Sequence, residues 1–280
     1  MTTLPLTTTR RFTTGGFTTG GARARPGPWR AGLRQTLRAE WTKLVSLRST
    51  QWTLLVTVVG ALLVTFLSTH GALHHSRGWY RGFDPTNQSL AGLAIGSLTL
   101  GILGVLAMSS EYGTGTIRSS LTAMPRRGVL LTAKAVLVGL GTLVIGEALS
   151  FMVFFEGQAV LSGGAPTASL GQPGVFRAVA LSGAFLALFA LLGLGIGAVI
   201  RHTAGAIAVF AGCTLLAPIL VSSISESSAR FAPELIFANS AAAVVAHPNS
   251  LSVTLGVVLM LAYCAVALGL GALLLNRRDA

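Results

Sequence analysis

The sequence predicts an all-α integral membrane protein of six transmembrane helices, with an amphipathic helix ahead of the first and both termini in the cytoplasm. Three features lead there. Apolar residues make up 52% of the 280 residues and charged ones only 10%, against about 25% charged in soluble domains. A soluble chain of this size could not cover its surface with so few charges, so lipid has to be the missing solvent. The apolar residues fall into six unbroken runs of spanning length, and the basic residues flank those runs on one side.

A helix needs about 20 mostly apolar residues to cross a bilayer. The runs are 52–69, 90–108, 129–155, 175–200, 204–224 and 251–275. They are continuous rather than alternating, which excludes a transmembrane barrel. The third carries Lys134 near its start and Glu147 near its middle, so its uninterrupted apolar part is shorter. The fourth and fifth are separated by Arg201, His202 and Thr203 alone, which forces a tight helical hairpin.

Lys and Arg placement sets the orientation. Of the 20 basic residues, sixteen lie on segments sharing a side with the N-terminus, and four (Arg77, Arg81, Arg177, Arg230) lie on the other. Leaving out the five up to Arg30, too far from a span to count, still leaves eleven against four. The net charge of +12 is therefore a topology signal; no aromatic-rich basic face points to nucleic acid.

Residues 1–30, rich in Thr, Gly and Arg, form a basic tail that cannot bury enough apolar area to fold alone, and residues 31–280 form the transmembrane domain. The tail lacks the apolar core of a secretory signal. Leu33, Leu37, Trp41, Leu44 and Val45 then recur at helical spacing beside Arg34, Arg38, Lys43 and Arg48. An apolar stripe next to basic residues suits a helix lying in the interface, one face in acyl chains and the other near anionic headgroups. Between the second and third runs, residues 111–128 make the longest internal cytoplasmic segment, where Thr114 or Thr116 can cap a short helix that Pro125 stops. The segment 222–250 is too apolar for a solvated loop and too broken by Pro233 and Pro248 to span, which suggests short helices dipping into the membrane or the protein.

Glu40-Trp-Thr-Lys-Leu-Val-Ser-Leu-Arg-Ser-Thr50 before the first run, with Ser110-Glu-Tyr-Gly-Thr-Gly-Thr-Ile-Arg118 after the second, resembles the permease subunits of type-2 ATP-binding-cassette exporters, particularly those of actinobacteria. Residues 233–243 are similar to that family's outer segment, and the likeness runs over residues 33–278; Gly113 departs from it, standing where the family commonly has a bulky or basic side chain. The resemblance implies a cytoplasmic-membrane permease that moves a substrate outward. It implies a second copy or close relative as partner, and an elbow helix made by Leu33, Leu37, Trp41, Leu44 and Val45. It also implies an ATPase-coupling loop carrying Glu111, Tyr112, Thr116, Ile117, Arg118 and Leu121, and an outer segment that forms a lid. The phosphate-cradling run Gly-x-x-x-x-Gly-Lys-Ser/Thr is absent from the sequence, so ATP hydrolysis would come from a separate nucleotide-binding subunit.

Two other readings stand beside this one: a scaffold or sensor subunit that transports nothing, and a membrane-embedded enzyme. Against the enzyme, the sequence has no His-Glu-x-x-His and no Gly-x-Ser-x-Gly, so no catalytic residue, cofactor or metal site is expected. His70, His74 and His75 cluster past the first run with Asp84 as the nearest further ligand, too few for a catalytic metal. Cys213 and Cys264 both lie in apolar runs, as small packing residues would. An ionised Glu147 at mid-membrane would be costly. It either faces the permease interior or is protonated and bonded to a Ser, Thr or carbonyl. Lys134 is thirteen residues away, about 20 Å along a helix, and cannot pair with it. Many of the 34 glycines stand three or four apart in the runs, which predicts close helix packing.

Overall fold

The computed structural model describes residues 37–38, 40–42, 48–74, 82–115, 127–224, 230–241 and 251–277, and every regular element among them is helical. In chain order these are α1 (Arg48–Leu73), α2 (Pro85–Ser89), α3 (Leu93–Gly113), α4 (Arg127–Leu161) and α5 (Val175–Ile200). There follow α6 (Thr203–Ala211), a π turn (Gly212–Leu216), α7 (Ala217–Ile224), α8 (Pro233–Ala241) and α9 (Val253–Arg277). Six of them are long and apolar enough to cross a membrane: α1, α3, α4, α5, α6 continued to Leu220, and α9. The chain is thus a multi-pass membrane protein in its architecture.

The helix α5 is the axis of the bundle, enclosed by α3, α4 and α9. Small residues make that enclosure possible, because with lipid on the outside helix association depends on close van der Waals approach. A side chain on Gly104 would run into the Ala190 carbonyl, one on Gly193 into the Gly101 carbonyl, and one on Gly197 would meet Val105 O at 2.7 Å. The backbones of α3 and α5 therefore touch. Gly101 also leaves room for the Phe210 ring of α6, which is fully buried. Phe185, Phe189, Leu93 and Leu100 fill the remaining space at the centre.

The outward faces are the inverse of a soluble protein's. Leu63 of α1, Leu140 and Val144 of α4, and Val258, Val266 and Leu273 of α9 are all exposed. Many hydroxyls inside the spans donate to a carbonyl one turn back, as a medium without water favours, although Ser109 Oγ is buried with no partner among the described residues. Thr57 Oγ1 donates to Thr53 O at 2.7 Å, Thr69 Oγ1 to Thr65 O at 2.7 Å and Ser182 Oγ to Ala178 O at 2.7 Å.

Several boundaries differ from the sequence reading. Helix α3 runs on to Gly113, and the Thr114 backbone N–H closes it by donating to Ser110 O at 3.0 Å. Thr114 thus closes α3 rather than opening a new helix. The third span is far longer than 129–155: α4 has 35 residues, about 52 Å at 1.5 Å per residue. The fifth span is interrupted at the π turn, because Pro218 has no N–H to give Thr214 and its ring crowds that carbonyl.

The expected hairpin between the fourth and fifth spans is present. Arg201 closes α5 at φ 60°, the left-handed region a non-glycine residue enters only when its surroundings hold it there. Its guanidinium donates to Leu274 O of α9 at 2.8 Å and lies 5.2 Å above the Tyr112 ring of α3. His202 then caps α6, accepting from Gly205 N at 3.2 Å. The broken segment 222–250 contains α8, which packs into the protein: Ile236 and Phe237 are buried, with Phe237 6.0 Å from the rings of both Phe185 and Phe189.

Candidate functional site

Charges are scarce in this chain, so a place where three of them are buried together stands out. Lys134, near the start of α4, donates to Glu40 Oε2 at 2.5 Å, to Glu111 Oε1 at 2.9 Å and to Ala107 O at 3.2 Å. All three side chains are buried, Lys134 at 4% exposure, Glu40 at 5% and Glu111 at 7%. An ammonium has three hydrogens, and here each finds an acceptor. That matters energetically. Desolvating an ion costs several kcal/mol, and the loss is offset only where geometry and hydrogen bonding are complete.

The cluster joins three parts of the chain. Glu40 comes from the segment ahead of the first span, Glu111 from the last turn of α3 and Lys134 from the first turns of α4. The neighbouring residue, Tyr112, is held from another side by Arg201, which also grips α9 through Leu274 O. Adjacent residues at the root of the loop after α3 are therefore tied to four other segments. The arrangement ties the segment ahead of α1, the end of α3 and the start of α4 to one ammonium.

Of the residues expected to form the coupling loop, the structure places Glu111 and Tyr112 inside this knot, while Thr116, Ile117, Arg118 and Leu121 lie outside the described residues. Of the expected elbow stripe, Leu37 and Trp41 are helical, Leu37 half-buried and Trp41 54% exposed; Leu33, Leu44 and Val45 lie outside the described residues. Among the described residues of that segment, Glu40, not singled out from the sequence, is the buried one. The missed signal was an acid flanked by the apolar positions Leu37 and Trp41, together with a lysine inside an apolar run. Each is costly in a membrane alone, and each is the natural partner of the other.

Glu147 is half-buried where α4 crosses α5, and a side chain on Gly183 would come within 2.7 Å of its carboxyl carbon, so that glycine makes its room. Glu147 has no hydrogen-bond partner among the described residues, neither Lys134 nor a hydroxyl. His70 stacks on Phe66 at 5.6 Å and meets His74 edge-on at 5.1 Å. Asp84 is turned to another task, capping α2 by accepting from Thr86 N at 2.9 Å and Asn87 N at 3.2 Å. Among the described residues no group of three metal-ligating side chains forms. Cys213 and Cys264 are unbridged; Cys264 is buried with its sulfur 3.2 Å from Leu188 O. No protein-family model matches the chain, and no curated protein matches it either.

Proposed function

We propose that this chain is the membrane-spanning permease subunit of an ATP-driven exporter of the ATP-binding-cassette kind. Its ATP would be hydrolysed by a separate nucleotide-binding subunit, and its transport path would be completed by a second copy or a close relative. In this reading the bundle lies in the cytoplasmic membrane with both termini and the Lys134 end inside. The segment ahead of α1 is the elbow helix, and the loop after α3 is the contact with the ATPase.

One observation carries the reading: the buried Glu40–Lys134–Glu111 cluster sits at the root of that loop. A loop that relays a partner's movement must be stiff where it joins the bundle, or the movement is dissipated in the loop. Glu111 and Tyr112 are fastened to the segment ahead of α1, to α4, to the α5–α6 hairpin and, through it, to α9. A push at residues 116–124 would thus reach four elements together.

Chain purified in mild detergent should bring down an ATPase and show no hydrolysis of its own once that subunit is stripped away. Replacing Ile117 and Leu121 together by Asp puts two charges into an apolar contact. The ATPase should then be lost at an unchanged level of membrane-inserted permease. Hydrolysis by the stripped chain, or full ATPase recovery with the double variant, would overturn the proposal.

The orientation is checked separately. Cysteines at Gly78 and Ser228 should react with an impermeant reagent applied to intact cells, and one at Ser119 should not.

A further inference from the structure

At the end of the bundle opposite Lys134, another carboxyl is half-buried. Glu234 lies in the first turn of α8, and both its oxygens face one hydroxyl, Ser97 Oγ of α3, at 3.2 and 3.4 Å. The same hydroxyl is 2.9 Å from Ala94 O. A serine hydroxyl has a single hydrogen. If Glu234 is ionised, that one hydrogen is the donor its two oxygens share among the described residues, while Ala94 O, inside α3, accepts from the Leu98 N–H in either state. If Glu234 is protonated, the acid donates to Ser97 Oγ, Ser97 donates to Ala94 O, and the count closes.

The surroundings agree. On the elements packed around α8, the titratable groups toward this end of the bundle are Arg177 of α5, Cys213 of the π turn, Tyr263 and Cys264 of α9, and Asp84 at the head of α2, while Glu111 and Tyr112 of α3 and Arg277 of α9 lie at the opposite helix ends. On its own segment Arg230 lies 5.1 Å over the Phe231 ring. None of these pairs with Glu234, whose partner among the described residues is Ser97. The helix N-terminus at which Glu234 sits favours the anion. Burial opposes it more strongly and pushes the carboxyl up to about 7, with the Ser97 hydrogen bond pulling the other way.

We propose that Glu234 is a proton-binding site that fastens α8 to the bundle: with the proton bound the helix stays packed, and loss of the proton favours its release. What would be released is well defined. Phe237 is seated against Phe185 and Phe189, Ile236 is buried against α9, and Tyr263 Oη holds Phe231 O at 3.0 Å. The proposal is independent of the exporter reading, since it concerns the proton equilibrium of the chain itself.

The sign follows from linkage. A carboxyl raised in the packed state stabilises packing fully below its free value of 4.5, and that contribution is lost as pH rises to about 7. The ratio of released to packed α8 should therefore climb up to roughly a hundredfold between about pH 5 and about pH 8, and level off above.

Labelling of purified Ile236→Cys protein by a thiol reagent reads this ratio. Each rate is divided by that of Ala238→Cys, exposed on the same helix, after subtraction of the parent chain's own thiols. The normalised rate should rise across that interval, and in a Glu234→Gln background, which mimics the protonated acid, it should stay low and flat. A second measurement needs no cysteine. Infrared difference spectra between wild type and Glu234→Gln should show a protonated-acid carbonyl band that disappears with a midpoint near 7. A flat wild-type ratio, a Gln variant that titrates like wild type, or the absence of that band at about pH 5 would each overturn the proposal.

Discussion

Lys134→Met should cost more stability than any other single side-chain loss in this molecule. It leaves Glu40 and Glu111 facing each other, both buried, with the cation between them gone. Removing one partner of a buried ion cluster costs about 3–5 kcal/mol, because the charges left behind are neither solvated nor compensated. The variant is expected to be recovered in low yield and to lose its monodisperse peak in size-exclusion chromatography after mild heating. Removing all three charges together is a different experiment. Glu40→Leu, Lys134→Met and Glu111→Leu in one chain should restore stability to near the parent level, since well-packed apolar replacements of buried ion clusters are often neutral or better. On the functional proposal, this stable triple variant should still be defective in coupling, having lost its stiff anchor but not its fold. A single variant as heat-resistant as the parent would show that the cluster does not hold the bundle together.

The second large effect is expected at Gly104. The added methyl of Gly104→Ala has nowhere to go: it points at the Ala190 carbonyl of α5, which is backbone and cannot turn aside as a side-chain tip would. Helices α3 and α5 must separate along their whole crossing, unseating Gly193 from Gly101 and Gly197 from Val105. Overpacking of this kind costs about 1–3 kcal/mol, and more where rigid backbone is the obstacle. Gly141→Ala is the control, because nothing lies within 4 Å of a side chain added there. Melting of both variants in the same detergent should separate them clearly, the Gly104 variant well below the parent and the Gly141 variant at or above it. Equal melting would mean that the two helices do not pack as closely as described.

The spans were legible because lipid imposes one rule on every residue of a run. Length and apolarity found all six, and small residues at helical spacing announced close packing that Gly104, Gly193 and Gly197 display. The hairpin at Arg201–Thr203 was equally forced, since two spans with three residues between them can only fold back. Ends of elements were harder. Helix α3 stops at Thr114, just before Gly115 at φ 70°, and hydropathy takes no account of such a turn.

The charged cluster was hidden for another reason. Glu40 and Lys134 are 94 residues apart, and their pairing exists only once α4 is packed beside α3. Taken singly, Lys134 looked like an interruption of the third run and Glu111 like a group awaiting a partner outside the chain. Glu147, open between an interior-facing and a protonated, bonded reading, lies against Gly183 at the α4–α5 crossing.

The π turn at Gly212–Leu216 leaves the fifth span in two lengths of unequal attachment. The first, α6, is nailed down: Phe210 is sunk into the space left by Gly101, and its start is fixed by the Arg201 turn. The second, α7, begins beyond a wider backbone turn, and Leu216, Ile219 and Leu220 around that junction point away from the bundle. An unbroken helix carries a twist or tilt from one end to the other. This one has a joint at mid-depth, so whatever bends α7 need not disturb α6.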